Sequence, residues 1–252
     1  MMSRMSSHTG RKALVTGGAN GIGEAASRAL AAQGATVVIA DRDQQRANAV
    51  AAEIVGQVWP IDLLDTDGLA GLRLDFDILV NNAGMQVVSP IQDFDVAAFR
   101  QIQRLMVEAP FLLVRACLPH MYDRGWGRVV NVSSIHGLVA SPYKSAYVIA
   151  KHALEGLSKA TALEAGPHGV TSNCINPAYV RTALVEGQID AQARENGISR
   201  EQVVGDVMLA KSAIKRLIEP AEVGALIAYL ASDEASMITG ASYAIDGGWT
   251  AG

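Results

Sequence analysis

KALVTGGANGIGEAASRALAAQGATVVIAD, residues 12–41, decides the fold. An apolar, β-branched run (KALVT, 12–16) breaks at two glycines. It passes into helical apolar spacing over 21–33 and returns to a second run, TVVIA (36–40), closed by Asp41. Runs that are apolar throughout indicate strands buried on both faces, as in a parallel sheet. Strand, glycine turn, helix is also the context in which a glycine motif carries chemistry. Gly17 permits the tight turn. Gly21 and Gly23 let the backbone and the helix approach a pyrophosphate, whose negative charge suits a helix N-terminus; Asn20 and Ile22 lie in the same turn. Asp41 follows Gly23 by 18 residues at the end of the second run. A carboxylate there accepts both ribose hydroxyls of NAD and repels the 2′-phosphate of NADP, so NAD is the expected cofactor. Arg42 beside it reads as a solvated residue at a helix start.

The alternation continues outward. DILVN (77–81), GRVVNVS (127–133), VTSNCIN (170–176) and SYAID (242–246) read as strands, with QVWP (57–60) a short extra one. Helical patterns cover 42–54, 95–123, 145–165 and 220–231, with Asp41 and Pro220–Glu222 as start signals. The expected fold is α/β, a doubly wound, mostly parallel Rossmann-type sheet with helices on both faces and right-handed crossovers. One domain over 11–252 follows a disordered tail over 1–10. A further helical pattern, 183–211, has no strand partner and is either a flap over a site or a surface helical pair. Asp62, just after QVWP, either bonds an adenine or caps a helix.

Composition excludes several classes. The net charge is −4 with no basic stripe, which argues against nucleic acid. No apolar run approaches the about 18 residues of a membrane span, and MMSRMSSHTG has no apolar leader core. Cys117 and Cys174 both sit in apolar runs and read as core residues of a reducing compartment. A cytoplasmic protein is expected.

SPYKSAYVIAK (141–151) carries the reactive groups. Tyr147 and Lys151 are i, i+4 neighbours on one helix face. A free phenol has a pKa of about 10. An ammonium about 4 Å away, at an effective dielectric of about 20, is worth roughly 4 kcal/mol and would lower that pKa by about 3. A phenolate near neutrality is what deprotonating a secondary alcohol requires.

TGGANGIG (16–23), NNAG (81–84) and Tyr147-x-x-x-Lys151 with Ser134 thirteen residues upstream resemble the short-chain dehydrogenase/reductase family, from Lys12 nearly to the end. The resemblance implies that Asn82, Ala83 and Gly84 line the adenine ribose while Asn81 braces the sheet. It places Val180 and Thr182 on the nicotinamide amide. Ser134 would hydrogen-bond the substrate oxygen, Tyr147 transfer the proton and Lys151 also hold the nicotinamide ribose, with hydride passing between substrate carbon and nicotinamide. A homotetramer through helices 95–123 and 145–165 is implied as well.

Within the family, SIHGLVASPYKSAYVIAKHALEGL (134–157), VRTALVEGQI (180–189) and DGGWTAG (246–252) are similar to members that act on D-3-hydroxybutyrate. By that likeness Gln86, His136, Lys144 and Gln188 surround a hydroxy-acid carboxylate, and Trp249 meets its methyl end. A buried anion needs a cation and donors, because leaving it unpaired is costly. Three features depart from the family. Ala178 and Tyr179 replace Gly and Trp, the segment between Asp62 and Asp77 has room only for a reduced helix, and Met106 stands where the family has an asparagine. Pro110 lacks an N–H and would free the Met106 carbonyl, four residues earlier, to hold a proton-relay water. Alternatives are another small hydroxy acid or secondary alcohol as substrate, or cofactor binding without turnover.

Overall fold

The structure, a computed structural model, describes residues 7–252. In chain order the elements are β1 (Lys12–Thr16), α1 (Gly21–Ala32), β2 (Thr36–Asp41), α2 (Gln44–Ile54), β3 (Gln57–Pro60), α3 (Thr66–Leu69) and β4 (Ile78–Asn81). They continue with α4 (Val96–Gln103), α5 (Ala109–Arg124), β5 (Gly127–Val132), α6 (Ser145–Ala165), β6 (Val170–Pro177), α7 (Ala183–Asn196), α8 (Arg200–Gln202), α9 (Pro220–Leu230) and β7 (Ser242–Ile245). The strands form one parallel sheet ordered β3-β2-β1-β4-β5-β6-β7. This is the doubly wound Rossmann-type sheet that the apolar runs imply.

Alternation along each strand supplies two cores. Ala13, Val15, Ile78, Val80, Val130 and Val132 face α1, α2 and α9. Leu14, Leu79 and Val129 face the opposite way, against Leu113, Cys117 and Met121 of α5. Cys117 and Cys174 are free and buried.

Several boundaries move for identifiable reasons. The helix expected over 95–123 is interrupted by a π-helical segment, Arg104–Glu108. Pro110 follows it and has no N–H to donate, and the Ala109 N–H reaches five residues back to the Arg104 carbonyl. The pattern over 183–211 divides into α7, α8 and a second π-helical segment, Val203–Met208. Asp41 does not cap α2: Asp43 does, accepting from the Arg46 N–H. Asp62 is not a helix cap either, since Asp65 caps the four-residue α3 and Asp62 accepts from the Leu64 N–H within a turn. The start of α9 is as expected, with Pro220 in its first turn and a Glu219–Glu222 capping box.

Of the tail expected to be disordered over 1–10, residues 1–6 lie outside the described residues. Residues 7–10 are bound to the body. His8 is buried, its Nε2 lies 3.1 Å from the Ala228 carbonyl and its N–H bonds the Gln33 carbonyl.

Helices α1 and α9 meet at Gly224, where a Cβ would lie 2.7 Å from the Ala25 carbonyl oxygen. Both contacting groups are on helix backbones, so no side-chain rotation relieves the clash. Gly224→Ala should therefore destabilise the fold by about 1–3 kcal/mol, more than offsetting the roughly 1 kcal/mol gain in helix propensity. Thermal denaturation should show a fall of several degrees; an unchanged midpoint would mean that the helices separate without cost.

Candidate active site

The sheet changes direction between β1 and β4, and in open parallel sheets a crevice forms at that point. Thr16 and Asn82 tie its two sides together. The Thr16 hydroxyl donates to the Val80 carbonyl and accepts from the Asn82 and Ala83 N–H groups. The Asn82 side-chain amide donates back to the Thr16 and Gly17 carbonyls, at 2.9 and 3.2 Å. One strand further, Asn81 donates to the Asn131 side chain at 2.9 Å, bracing β4 against β5.

A cleft of about 900 Å³ opens above this junction. Gly17, Asn20, Gly21 and Ile22 line one end. Gly17 and Gly21 have φ of +62° and +52°, which an L side chain rarely adopts. Asn20 is the N-cap of α1 but its side chain makes no capping bond there, so the helix N-terminus is left to an anion. Gly23 stands behind the wall. A Cβ there would fall 2.1 Å from the Gly17 carbonyl oxygen, so this glycine packs α1 against the turn and does not itself line the cleft. Asp41, Asp62, Asn82, Ala83 and Gly84 line the next stretch. The Asp41 carboxylate is held by the Ala19 and Asp43 N–H groups, at 3.1 and 3.0 Å. Arg42 and Arg46 lie on the same wall. This backbone cradle with a fixed carboxylate beyond it fits a dinucleotide.

Ser134, Tyr147 and Lys151 meet at the cleft floor, where β5 ends and α6 begins. The Ser134 oxygen accepts from the His136 N–H at 3.1 Å and lies 3.4 Å from His136 Nδ1. Burial holds the Tyr147 phenol above its usual pKa, and a hydrogen bond with Ser134 opposes this. That corrects the lowering expected from the i, i+4 spacing. The Lys151 ammonium is buried and donates to the Val132 carbonyl at 2.6 Å, 5.5 Å from the Tyr147 ring centre. Burial lowers the Lys151 pKa to about 8.

At the other end of the cleft Glu186 is paired with Arg181 and Arg200, and Lys144 stands apart from it. Lys144 is half-buried, and no carboxylate pairs with it among the described residues. Desolvation lowers its pKa. His136 is pushed down to about 4 by burial and by Lys144, so it is neutral at neutral pH; its Nε2 lies 2.8 Å from the Ser141 hydroxyl. Gln188 donates to the Gln86 oxygen at 3.4 Å, which leaves the buried Gln86 Nε2 without an acceptor. An unpaired cation and an unused buried donor in one wall suit a carboxylate.

Helix α7 and the segment leading into it form the lid of this end. Val180, Thr182 and Gln188 line the cleft, and a Cβ on Gly21 would meet Thr182 Cγ2 at 2.9 Å. The lid has a core of its own, Val185, Ile189, Val203, Met208, Leu209 and Leu217, against which Tyr179 packs. Residues of 183–211 thus line the cleft as well as packing on one another.

Trp249 is not on the cleft wall. It lies behind His136, ring centres 6.5 Å apart, with the Lys211 ammonium 4.8 Å above its face. Met106 is buried where the family asparagine is expected; its sulfur lies 3.5 Å from the Met85 N and its methyl faces Gly84. The sequence reading missed the apolar wall of Ile61, Leu63 and Leu64 after β3. Its only signal was proximity to Asp62. It also missed Glu155 and Asn176 beneath the floor, which no spacing rule connects.

Comparison with known proteins gives a consistent picture. A family profile described as enoyl-(acyl carrier protein) reductase matches residues 17–250. The chain is 43% identical to a D-beta-hydroxybutyrate dehydrogenase of Rhizobium meliloti, over 96% of this chain and 99% of that one. It is 40% identical to a D-beta-hydroxybutyrate dehydrogenase of Cupriavidus necator, over 96% and 98%. Among solved structures, it is similar to a protein of Agrobacterium tumefaciens provisionally designated a 2-deoxy-D-gluconate 3-dehydrogenase and holding NADP. That match has a TM-score of 0.88 and 30% identity, over 99% of this chain and all of the other.

A methyl group at Gly23 must displace the Gly17 carbonyl, and with it the turn that lines the cleft. Gly23→Ala should lower dinucleotide affinity at least tenfold, as read by quenching of protein fluorescence on titration. Wild-type affinity would show that this packing is not required for binding.

Proposed function

The chain belongs to the short-chain dehydrogenase/reductase family, and from that premise we propose that it is an NAD-dependent dehydrogenase interconverting D-3-hydroxybutyrate and acetoacetate. It is an oxidoreductase of a nicotinamide dinucleotide. The observation that carries the choice of substrate is Lys144, a half-buried cation without a carboxylate partner, beside the unused Gln86 donor. A small acid completes both. His136, neutral and bonded to Ser141, orients the acid without adding charge. Gln188 contributes from the lid, so binding and lid packing are coupled. The names of the two relatives from Rhizobium meliloti and Cupriavidus necator agree with this reading.

NAD is favoured over NADP because two backbone N–H groups hold the Asp41 carboxylate where the adenosine ribose would bind. A 2′-phosphate there would meet a fixed negative charge, which Arg42 and Arg46 on the same wall would partly offset. Asn20, Gly21, Ile22, Asn82, Ala83 and Gly84 would hold the dinucleotide at that end, Val180 and Thr182 at the other. When bound, the cofactor accepts hydride from the alcohol carbon and in its oxidised form brings a positive charge. Ser134 donates a hydrogen bond to the substrate oxygen and Tyr147 takes its proton. Lys151 holds the nicotinamide ribose and supplies the fixed positive charge that favours a phenolate over the phenol which burial alone prefers. Pro110 offers the Met106 carbonyl no N–H, which supports that carbonyl as the holder of a relay water for Lys151.

We read the protein as a homotetramer. Phe111 of α5 and Ile149 of α6 are 52% and 49% exposed. Phe111 also lines, with Phe99, Val107 and Leu157, an apolar groove that a second copy would cover.

The test is to follow NADH absorbance with NAD or NADP and D-3-hydroxybutyrate. Turnover with NAD and little with NADP is expected; turnover only on neutral alcohols would reject the acid substrate. Lys144→Ala removes one charge-assisted bond worth roughly 1.5–3 kcal/mol. The KM for the acid should therefore rise about 10- to 100-fold while cofactor affinity is kept. An unchanged KM would show that Lys144 does not bind the carboxylate. Light scattering should give four chains per particle.

A further inference from the structure

Beneath the cleft floor lies a buried carboxylate that the mechanism above does not use. Glu155 is one helical turn past Lys151 on α6 and only 5% exposed. No ion pair among the described residues includes it. Its Oε1 accepts from Asn176 Nδ2 at 2.5 Å, and its Oε2 accepts from the Ser242 hydroxyl at 2.5 Å. Asn176 Nδ2 also donates to the Ser134 carbonyl at 2.9 Å. The fit around the carboxylate is close. A Cβ on Gly137 would lie 3.0 Å from Glu155 Oε1 and 2.4 Å from the Ser133 hydroxyl.

Burying a carboxylate without a paired cation is costly, even with both oxygens hydrogen-bonded. Lys151 lies one turn earlier on the same helix face and likewise has no ion-pair partner among the described residues. We propose that Glu155 is a positioning residue for the reaction: its carboxylate is the buried counter-charge that keeps Lys151 an ammonium, and through Asn176 it fixes the backbone that aims the Ser134 hydroxyl. The inference rests on the reading of Ser134, Tyr147 and Lys151 as the reacting set.

The surroundings of Lys151 support this. Desolvation drives its pKa down, and negative charge at Cys174 and Glu155 opposes it. The Cys174 thiol is itself driven up by burial and is neutral at neutral pH, so the working counter-charge is that of Glu155. Tyr147 on α6 and the Val132 carbonyl at the end of β5 are the other groups facing the ammonium. The sign is clear. Removing the Glu155 charge makes Lys151 lose its proton at lower pH, so activity should fail earlier as pH rises.

Glu155→Gln tests this, because the amide retains an acceptor for Asn176 and can donate to Ser242 while losing the charge. The alkaline limb of kcat/KM against pH should move down by on the order of one pH unit. Glu155→Asp, which keeps the charge, should return it toward the wild-type position. A lowered melting temperature with an unmoved limb would reduce Glu155 to a structural role and overturn the proposal. Asn176→Ala removes the donor that Glu155 Oε1 and the Ser134 carbonyl share. It should lower kcat several-fold, and wild-type kcat would overturn the link to Ser134 even if Glu155→Gln does not fold. Tyr147→Phe separates the two readings. An active Phe variant rejects the reacting set itself, whereas an inactive one beside a wild-type Glu155→Gln profile rejects only the role of Glu155.

Discussion

The cleft depends on the exchange of hydrogen bonds between Thr16 and Asn82. At the point where strand order reverses, β1 and β4 run side by side but their helices leave to opposite faces, so nothing in the ladder itself holds the two loops in register. The Thr16 hydroxyl and the Asn82 amide do so with reciprocal bonds of 2.9–3.2 Å. They satisfy backbone groups that would otherwise be buried unpaired, and leaving such groups unmet costs more than the bonds gain. With this junction fixed, the glycine turn, the Asp41 carboxylate and the floor residues of β5 stand in one frame.

That frame concentrates positive charge. Lys144 and Lys151 both line the cleft, His136 is kept neutral, and the phenol between them is held protonated by burial. In a low-dielectric site, two ammonium groups make the cleft electrostatically incomplete. Lys144 at the outer end has no carboxylate partner among the described residues. At the inner end the Lys151 ammonium donates to the Val132 carbonyl, with Glu155 one turn further along α6. Two lysines seven residues apart in the chain therefore stand in different surroundings: Lys144 is half-buried and Lys151 is buried against β5.

Irregular helix geometry occurs beside the cleft. The π-helical turn at Arg104–Glu108 brings Leu105 and Met106 to the wall, and a second follows α8 in the lid. The first has a clear local cause in Pro110. Pro110 is visible in the sequence, but a proline predicts only a disturbed helix, and whether the chain kinks or widens by one residue depends on what Met106 packs against.

Most of the fold was legible in the sequence, because strand burial on two faces and the strand–glycine–helix order are local patterns with one common solution. Gly17, Gly21, Asp41 and the Ser134–Tyr147–Lys151 spacing were legible for the same reason: each rests on short-range backbone geometry. What sequence could not supply was distance across the sheet. The i, i+4 spacing correctly brought Tyr147 and Lys151 to one face. The sign of the phenol's shift, however, was set by burial, which outweighs the opposing hydrogen bond with Ser134. Trp249 belongs to the same corner as His136 yet stands behind it, since the C-terminal turn packs on the loop and not over the cleft. Glu155, Asn176 and Ser242 come from three elements with no shared motif. Sequence determined which groups share a turn or a helix face, through local spacing. Tertiary structure decided which are charged and which face the cleft, because desolvation and hydrogen-bond partners are set by packing between distant segments.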